Sequence, residues 1–179
     1  MSTLRSDGDP NRCRRGGTVP DPRVRRVRES DVHAVVHLVH RLAEYERAPE
    51  QCHLTSDQLR AALFAPSPAL FGHVAEVAGE VVGFALWFLN FSTWDGVHGI
   101  YLEDLFVVPE HRGSGLGRAL LTELAEECVR RGYSRLQWWV LNWNTPAIDF
   151  YKSVGAVPMD EWTVYRLTGD ALTALGDSR

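Results

Sequence analysis

Cysteine is scarce in this chain. Three occur in 179 residues, Cys13, Cys52 and Cys128, at unrelated spacings. That makes neither a disulfide framework nor a metal cluster, and it fits the reducing interior of a cell, so the expected location is cytoplasmic. Long apolar runs are missing too. None approaches the roughly 18 residues of a membrane span, and the N-terminus has no apolar core of the kind a signal peptide carries. A basic surplus is also absent. The formal charge is -4, which argues against nucleic acid as a partner. The imbalance is uneven, because residues 1–23 carry five Arg against three Asp and leave -6 on the remainder. An acidic body suits a cationic substrate.

What is present reads as one domain behind a tail. Residues 1–22 are rich in Gly, Pro, Arg, Ser and Asp with little to bury, and are expected to be a disordered leader, the Arg12–Arg15 cluster included. The domain is expected over 23–179. Val24 and Val27 mark a first strand. Ser30 and Asp31 then cap a helix to about Arg47, in which Val32, Val35, Val36, Val39, Leu42 and Ala43 share a face. His33 and His37 stand four apart on it, but no carboxylate or cysteine completes a ligand set. They are read as surface histidines, and no metal is expected.

Thr55 to Gln58 is a capping-box start for a second helix to about Phe64. Two strands, Phe71–Ala78 and Val81–Asn90, meet at Gly79-Glu80, a hairpin signal. Trp94, in the loop that follows, is either a core plug or the wall of a substrate pocket. Beyond the centre of the chain come a helix ended by Gly132 and a strand over Ser134–Leu141. Asn144-Thr145-Pro146 then opens a further helix. Closing strands are expected at Val157 and Trp162–Leu167, and a short helix over Asp170–Leu175. The order gives an α/β sandwich around a mixed, mostly antiparallel central sheet flanked by helices.

The most informative stretch is Tyr101 to Glu123. An apolar strand, Leu105-Phe106-Val107-Val108, feeds Arg112-Gly113-Ser114-Gly115-Leu116-Gly117, and a helix is expected from Arg118. Such a junction presents backbone N–H groups and the positive end of a helix dipole, a natural diphosphate site. A Walker loop would need Gly-Lys-Ser/Thr at its end, and here Arg118-Ala119 follows Gly117. A dinucleotide fingerprint needs G-x-G-x-x-G after the first strand of a βαβ unit. The spacing here is G-x-G-x-G, late in the chain and after hairpins. The third reading is the acyl-coenzyme-A loop, [Q/R]-x-x-G-x-[G/A], which Arg112 to Gly117 satisfies.

With these residues the chain resembles the GNAT superfamily of N-acetyltransferases from about Val24 to Leu175. Within it the chain is similar to the diamine branch, the spermidine/spermine and thialysine acetyltransferases. The match is carried by Leu42-Ala43-Glu44-Tyr45-Glu46, Tyr101 to Val107, Arg112 to Gly117, and Trp143-Asn144 through Asp149-Phe150-Tyr151-Lys152 to Gly155-Ala156. The loop before Tyr101 reads Ser92-Thr93-Trp94, without the acidic residue that spermidine/spermine enzymes carry before the tryptophan. It is closer to the thialysine type.

The resemblance implies a GNAT fold, acetyl-CoA as co-substrate and a homodimer. It makes Glu103 the base that takes a proton from the amine and Tyr151 the acid for the leaving thiolate. Leu105, Phe106 and Val107 would bind the pantetheine arm, and Arg112, Gly113, Ser114, Gly115, Leu116, Gly117 and Arg118 the diphosphate. Asn144, Ala147 and Tyr151 would complete the cofactor side. Tyr45, Glu46, Trp94 and Glu103 would line the amine side. The reaction implied is acetyl transfer to a primary amine of a small diamine, polyamine or diamino acid, by direct attack in a ternary complex. Peptide or protein N-acetylation and a non-catalytic acyl-CoA-binding module are the alternatives.

A base is chemically required. An alkyl amine with a pKa near 10.4 is only about 0.1% neutral at physiological pH, so exposing its lone pair costs roughly 4 kcal/mol. A nearby carboxylate can attract the ammonium and take its proton.

Overall fold

A computed structural model describes residues 20–178, in two compact units divided after Trp139. Most of the leader read in residues 1–22 lies outside the described residues.

In the first unit the strands are β1 (Val24–Arg26), β2 (Phe71–Val77), β3 (Glu80–Ser92), β4 (Val97–Val107) and β5 (Leu136–Gln137). They form one sheet in chain order, antiparallel except for the parallel β4–β5 pair. The hairpin signal at Gly79-Glu80 joins β2 to β3, and β3 is nearly all apolar because it is buried from Gly83 to Trp87. Three helices complete the unit, α1 (Val32–Tyr45), α2 (Ser56–Phe64) and α3 (Leu116–Arg131).

Helix α1 buries Val32, Val35 and Leu38, and α2 adds Leu59 and Leu63. Thr55 caps α2 through its side chain, in the capping box the sequence predicts. Two of the three α1 histidines have local jobs: His33 Nδ1 meets Ser56 Oγ at 3.0 Å, and His40 Nε2 meets the Leu54 carbonyl at 3.0 Å. On β1, Arg25 binds Asp31 at 2.7 Å and Glu76 at 2.5 Å, tying the first strand to the start of α1 and to β2.

Strand alternation separates the two sheet faces. Phe84, Leu86 and Phe88 of β3 share one face with their β4 partners Phe106, Asp104 and Tyr101. Ala85, Trp87 and Leu89 share the other with Leu105, Leu102 and Ile100. Helix α3 serves the Trp87 face. Arg26 lies 5.4 Å over the Trp87 ring and pairs with Glu127 of α3 at 3.1 Å. Helix α1 serves the Phe106 face, since one guanidinium, that of Arg112, covers both Phe106 and Tyr45, the last residue of α1.

In this first unit three expectations are corrected. Helix α3 starts at Leu116, two residues before Arg118, because Gly115 at φ 86° is its N-cap and frees Leu116 to be helical. The strand expected over Ser134–Leu141 shrinks to Leu136–Gln137, since β4 is paired there only through Ile100 and Tyr101. Trp94 is no core plug: it lies in the β3–β4 turn and is 92% exposed.

The second unit holds α4 (Thr145–Ser153) and α5 (Gly169–Gly176). The closing strands expected at Val157 and Trp162–Leu167 do not form among the described residues. Their backbone has no ladder partner, and a strand exists only as part of a ladder. Val157, Met159, Trp162, Val164 and Leu167 are exposed.

Candidate active site

The site is built on an irregularity in β4. Leu86 stands opposite Asp104 while the next residue of β3, Trp87, stands opposite Leu102, so Glu103 is an extra residue in its strand. Counting by twos from Tyr101 brings Glu103 to the Phe106 face, and counting back from Phe106 brings Asp104 there. The bulge lets both counts hold. Two adjacent carboxylates therefore occupy one face of a strand that would otherwise split them. Glu103 is exposed and Asp104 partly buried.

The same face receives the end of α1. The Arg112 guanidinium lies 4.6 Å over the Tyr45 ring and 5.6 Å over Phe106, and Arg112 Nε donates to the Val107 carbonyl at 3.0 Å. Arg112 thus fastens the start of the glycine loop to both strand and helix. Glu46 follows Tyr45 at the exposed end of α1, where partial desolvation by the groups around it raises its pKa above the usual carboxylate value. Asp104 is affected more strongly. Burial, and then the charges of Glu103 and Glu46, push its pKa up to about 7. These three carboxylates are neighbours in charge, but no metal-binding group of three or more His, Cys, Asp or Glu exists among the described residues.

The loop shows why glycines are needed. Gly113 and Gly115 sit at φ 76° and 86°, a left-handed conformation that side chains disfavour. Ser114 Oγ donates to the His111 carbonyl at 2.6 Å, and Arg23 Nη1 donates to the Ser114 carbonyl at 3.3 Å. Helix α3 begins with no side-chain cap and no acidic residue in its first turn. Its orphan amides and dipole are therefore not matched by an anion from its own cap. Among the described residues, β5 pairs with β4 at Ile100 and Tyr101 only, which leaves the Leu102–Val107 edge without a strand partner.

In the first unit, then, the structure brings together Tyr45, Glu46, Glu103 and Arg112, and lines up Leu105 to Val107 with Gly113 to Arg118. It does not bring Trp94 to them. Val97, itself three residues beyond Trp94, is six positions from Glu103 along β4, roughly 20 Å at the rise of an extended strand. In the second unit Asn144 is buried and caps α4, its Oδ1 accepting from the Ala147 amide at 3.4 Å. Tyr151 is partly buried on α4, its ring 5.3 Å from that of Phe150. Sequence reasoning gave no role to Asp104 or Arg23. Adjacency to Glu103 was the only signal for the first, and nothing local marked the second.

Comparison with known proteins agrees with this geometry. Residues 35–156 match the model of the acetyltransferase (GNAT) family. The chain is 37% identical over 163 residues to a thialysine N-epsilon-acetyltransferase of Bos taurus, covering 85% of this chain and 95% of that one. It is 43% identical over 95 residues to an L-ornithine N5-acetyltransferase of Arabidopsis thaliana, covering 53% of this chain and 42% of that one. Among solved structures, an integron cassette protein from the mobile metagenome of V. cholerae superposes with a TM-score of 0.73 at 28% identity, over 87% of this chain and 97% of that one. A loop that holds Gly113 and Gly115 left-handed ahead of a helix with no side-chain cap, in a chain with these relatives, has one reading: the chain belongs to the GNAT family and is an N-acetyltransferase, similar to the diamine branch.

Proposed function

We propose that this chain transfers the acetyl group of acetyl-CoA to a primary amine of a small diamine, polyamine or diamino acid, by direct attack in a ternary complex. The observation that carries the reading is the carboxylate face of Glu103, Asp104 and Glu46 beside the unpaired edge of β4. A site of that charge concentrates ammonium groups. The relatives support the substrate class, because their names specify acetylation at the N-epsilon of thialysine and the N5 of ornithine.

Acetyl-CoA fits the residues present. The first turn of α3, with no side-chain cap and no acid, suits the diphosphate, with Arg112 to Arg118 around it. The open edge of β4 at Leu105, Phe106 and Val107 offers backbone groups to the pantetheine arm by strand-like pairing, and donors to the oxyanion. Glu103 takes the proton from the substrate ammonium. The amine nitrogen then bonds to the carbonyl carbon, the C–S bond breaks, and Tyr151 supplies a proton to the departing sulfur. Asn144 holds the start of α4 and so the helix that carries Tyr151. Tyr45 and Glu46 bind the distal part of the amine.

A homodimer is part of the proposal. The exposed Val157, Met159, Trp162, Val164 and Leu167 form an apolar series that a second copy would cover. A cytoplasmic location rests on Cys52 and Cys128 being free thiols.

The decisive experiment is a panel of diamines, diamino acids, monoamines and peptides, followed by thiol release from acetyl-CoA. Diamines or diamino acids should lead. Turnover of peptides with no turnover of small amines would overturn the substrate class.

A further inference from the structure

We propose that Asp104 is a second proton acceptor in acetyl transfer, taking over from Glu103 the proton that Glu103 removes from the substrate ammonium. The inference rests on the reading of Glu103 as the base. Its foundation is the bulge in β4: by adding one residue to the strand, the fold puts both carboxylates on the face that meets the end of α1. A strand of regular alternation would have turned one of them into the opposite layer.

The surroundings of Asp104 suit an acceptor that changes charge near neutrality. Across the ladder stands Leu86, uncharged, between Phe84 and Phe88 on β3. From the end of α1 comes Glu46, and from β4 itself Glu103. These two carboxylates are the charges that act on Asp104. Arg112 reaches this face too, but its guanidinium is spread over Tyr45 and Phe106. Asp104 is thus held protonated in acid and becomes a carboxylate above about 7.

The proton balance closes without an outside reagent. The ammonium gives its proton to the Glu103 carboxylate, which becomes a carboxylic acid, and the neutral amine keeps its electron pair for the carbonyl carbon. Glu103 passes the proton to the Asp104 carboxylate and is ionised again. Formation of the C–N bond and loss of the C–S bond follow as described, and Asp104 releases its proton to solvent between turnovers. Asp104 acts through Glu103, so it is a positioning residue for the proton and makes no contact with the reacting carbon.

The test is the ratio of kcat/KM for Asp104→Asn to that of the unsubstituted enzyme, measured from pH 5.5 to 9 with one diamine substrate. Near pH 6 Asp104 is protonated in the unsubstituted enzyme and accepts nothing, so the ratio should be close to one. By pH 8.5 it should fall to about one tenth, a modest share of the 10²–10⁴-fold typical of a positioned proton acceptor. A ratio that is constant with pH would reveal a merely structural role and overturn the proposal.

Glu46→Gln gives a second measurement that does not depend on the folding of the Asn variant. Removing that charge should move the neutral limb of the pH profile to lower pH, and a limb that stays in place counts against Asp104. Glu103→Gln keeps the two readings apart. If it is fully active at every pH, the assignment of Glu103 fails; if it is inactive while the Asp104→Asn ratio stays flat, only the relay fails.

Discussion

Two carboxylates sit at the covered surfaces of the same sheet and are treated in opposite ways. Glu127, on α3, is only 6% exposed and is surrounded by guanidinium groups. It accepts from Arg26 at 3.1 Å and Arg131 at 2.6 Å, and from Arg130 as well. Burial works against its ionisation, but the Arg130 hydrogen bond and the Arg26, Arg131 and Arg130 charges outweigh it, and its pKa is lowered. Asp104, across the sheet, has two further carboxylates as its charged neighbours and is pushed the other way. The first arrangement stabilises the fold as long as the acid is ionised. The second destabilises the fold whenever the acid is ionised, and such a cost persists where activity depends on it.

The largest effect should come from breaking the unmatched side. Glu103→Gln is expected to lower kcat/KM by about 10²–10³ at pH 7.5, with unchanged circular dichroism. It should also let Asp104 ionise at lower pH, because one of the two charges that raise it is gone.

Breaking the matched side should cost stability instead. Glu127→Gln takes the anion from three guanidinium groups that stay about half in solvent, and leaves a buried amide with weaker hydrogen bonds, so it should lose about 1–2 kcal/mol. Thermal unfolding would register this as a fall of roughly 2–8 °C, while the pH profile of activity keeps its shape. Because the folded pKa of Glu127 is depressed, its contribution is present above the ordinary glutamate value and is lost as pH falls through the folded value.

Asp104 carries the opposite sign. Its folded pKa is above the unfolded one, so the folded state binds the extra proton between about 4 and 7, and stability declines as pH rises through that window. Asp104→Asn should therefore be more stable than the unsubstituted protein at pH 8, by at most roughly 4 kcal/mol, with the gain gone near pH 4. Denaturant unfolding at the two pH values checks it. A loss of stability at pH 8 would mean that the carboxylate has a partner of its own. The smallest effect is expected from Glu46→Gln, which is exposed and should change stability by less than about 0.5 kcal/mol.

Much of this was legible in the sequence because local chemistry dictated it. The capping box at Thr55, the Gly79-Glu80 hairpin, the left-handed glycines at 113 and 115 and the Asn144 cap are written in residues close to the feature they make. Long-range pairing was not. Trp162 to Leu167 has the composition of a strand, yet a strand needs a partner whose position no local pattern records. Trp94 was ambiguous for the same reason. The pairing of Tyr45 with Arg112 depends on α1 ending where the glycine loop begins, 67 residues later. Glu103 was placed by resemblance, whereas the register that sets Asp104 beside it exists only in the ladder with β3.

That register has a consequence for how the strand tolerates change in length. Leu102 and Asp104 already face neighbouring residues of β3, so removing Glu103 would close the ladder into an ordinary antiparallel pair without shifting it on either side. Deleting a residue from a central strand ordinarily turns everything beyond it inside out. Here a one-residue deletion should leave a folded protein that has lost its base, because Glu103 is an insertion into a strand that is complete without it.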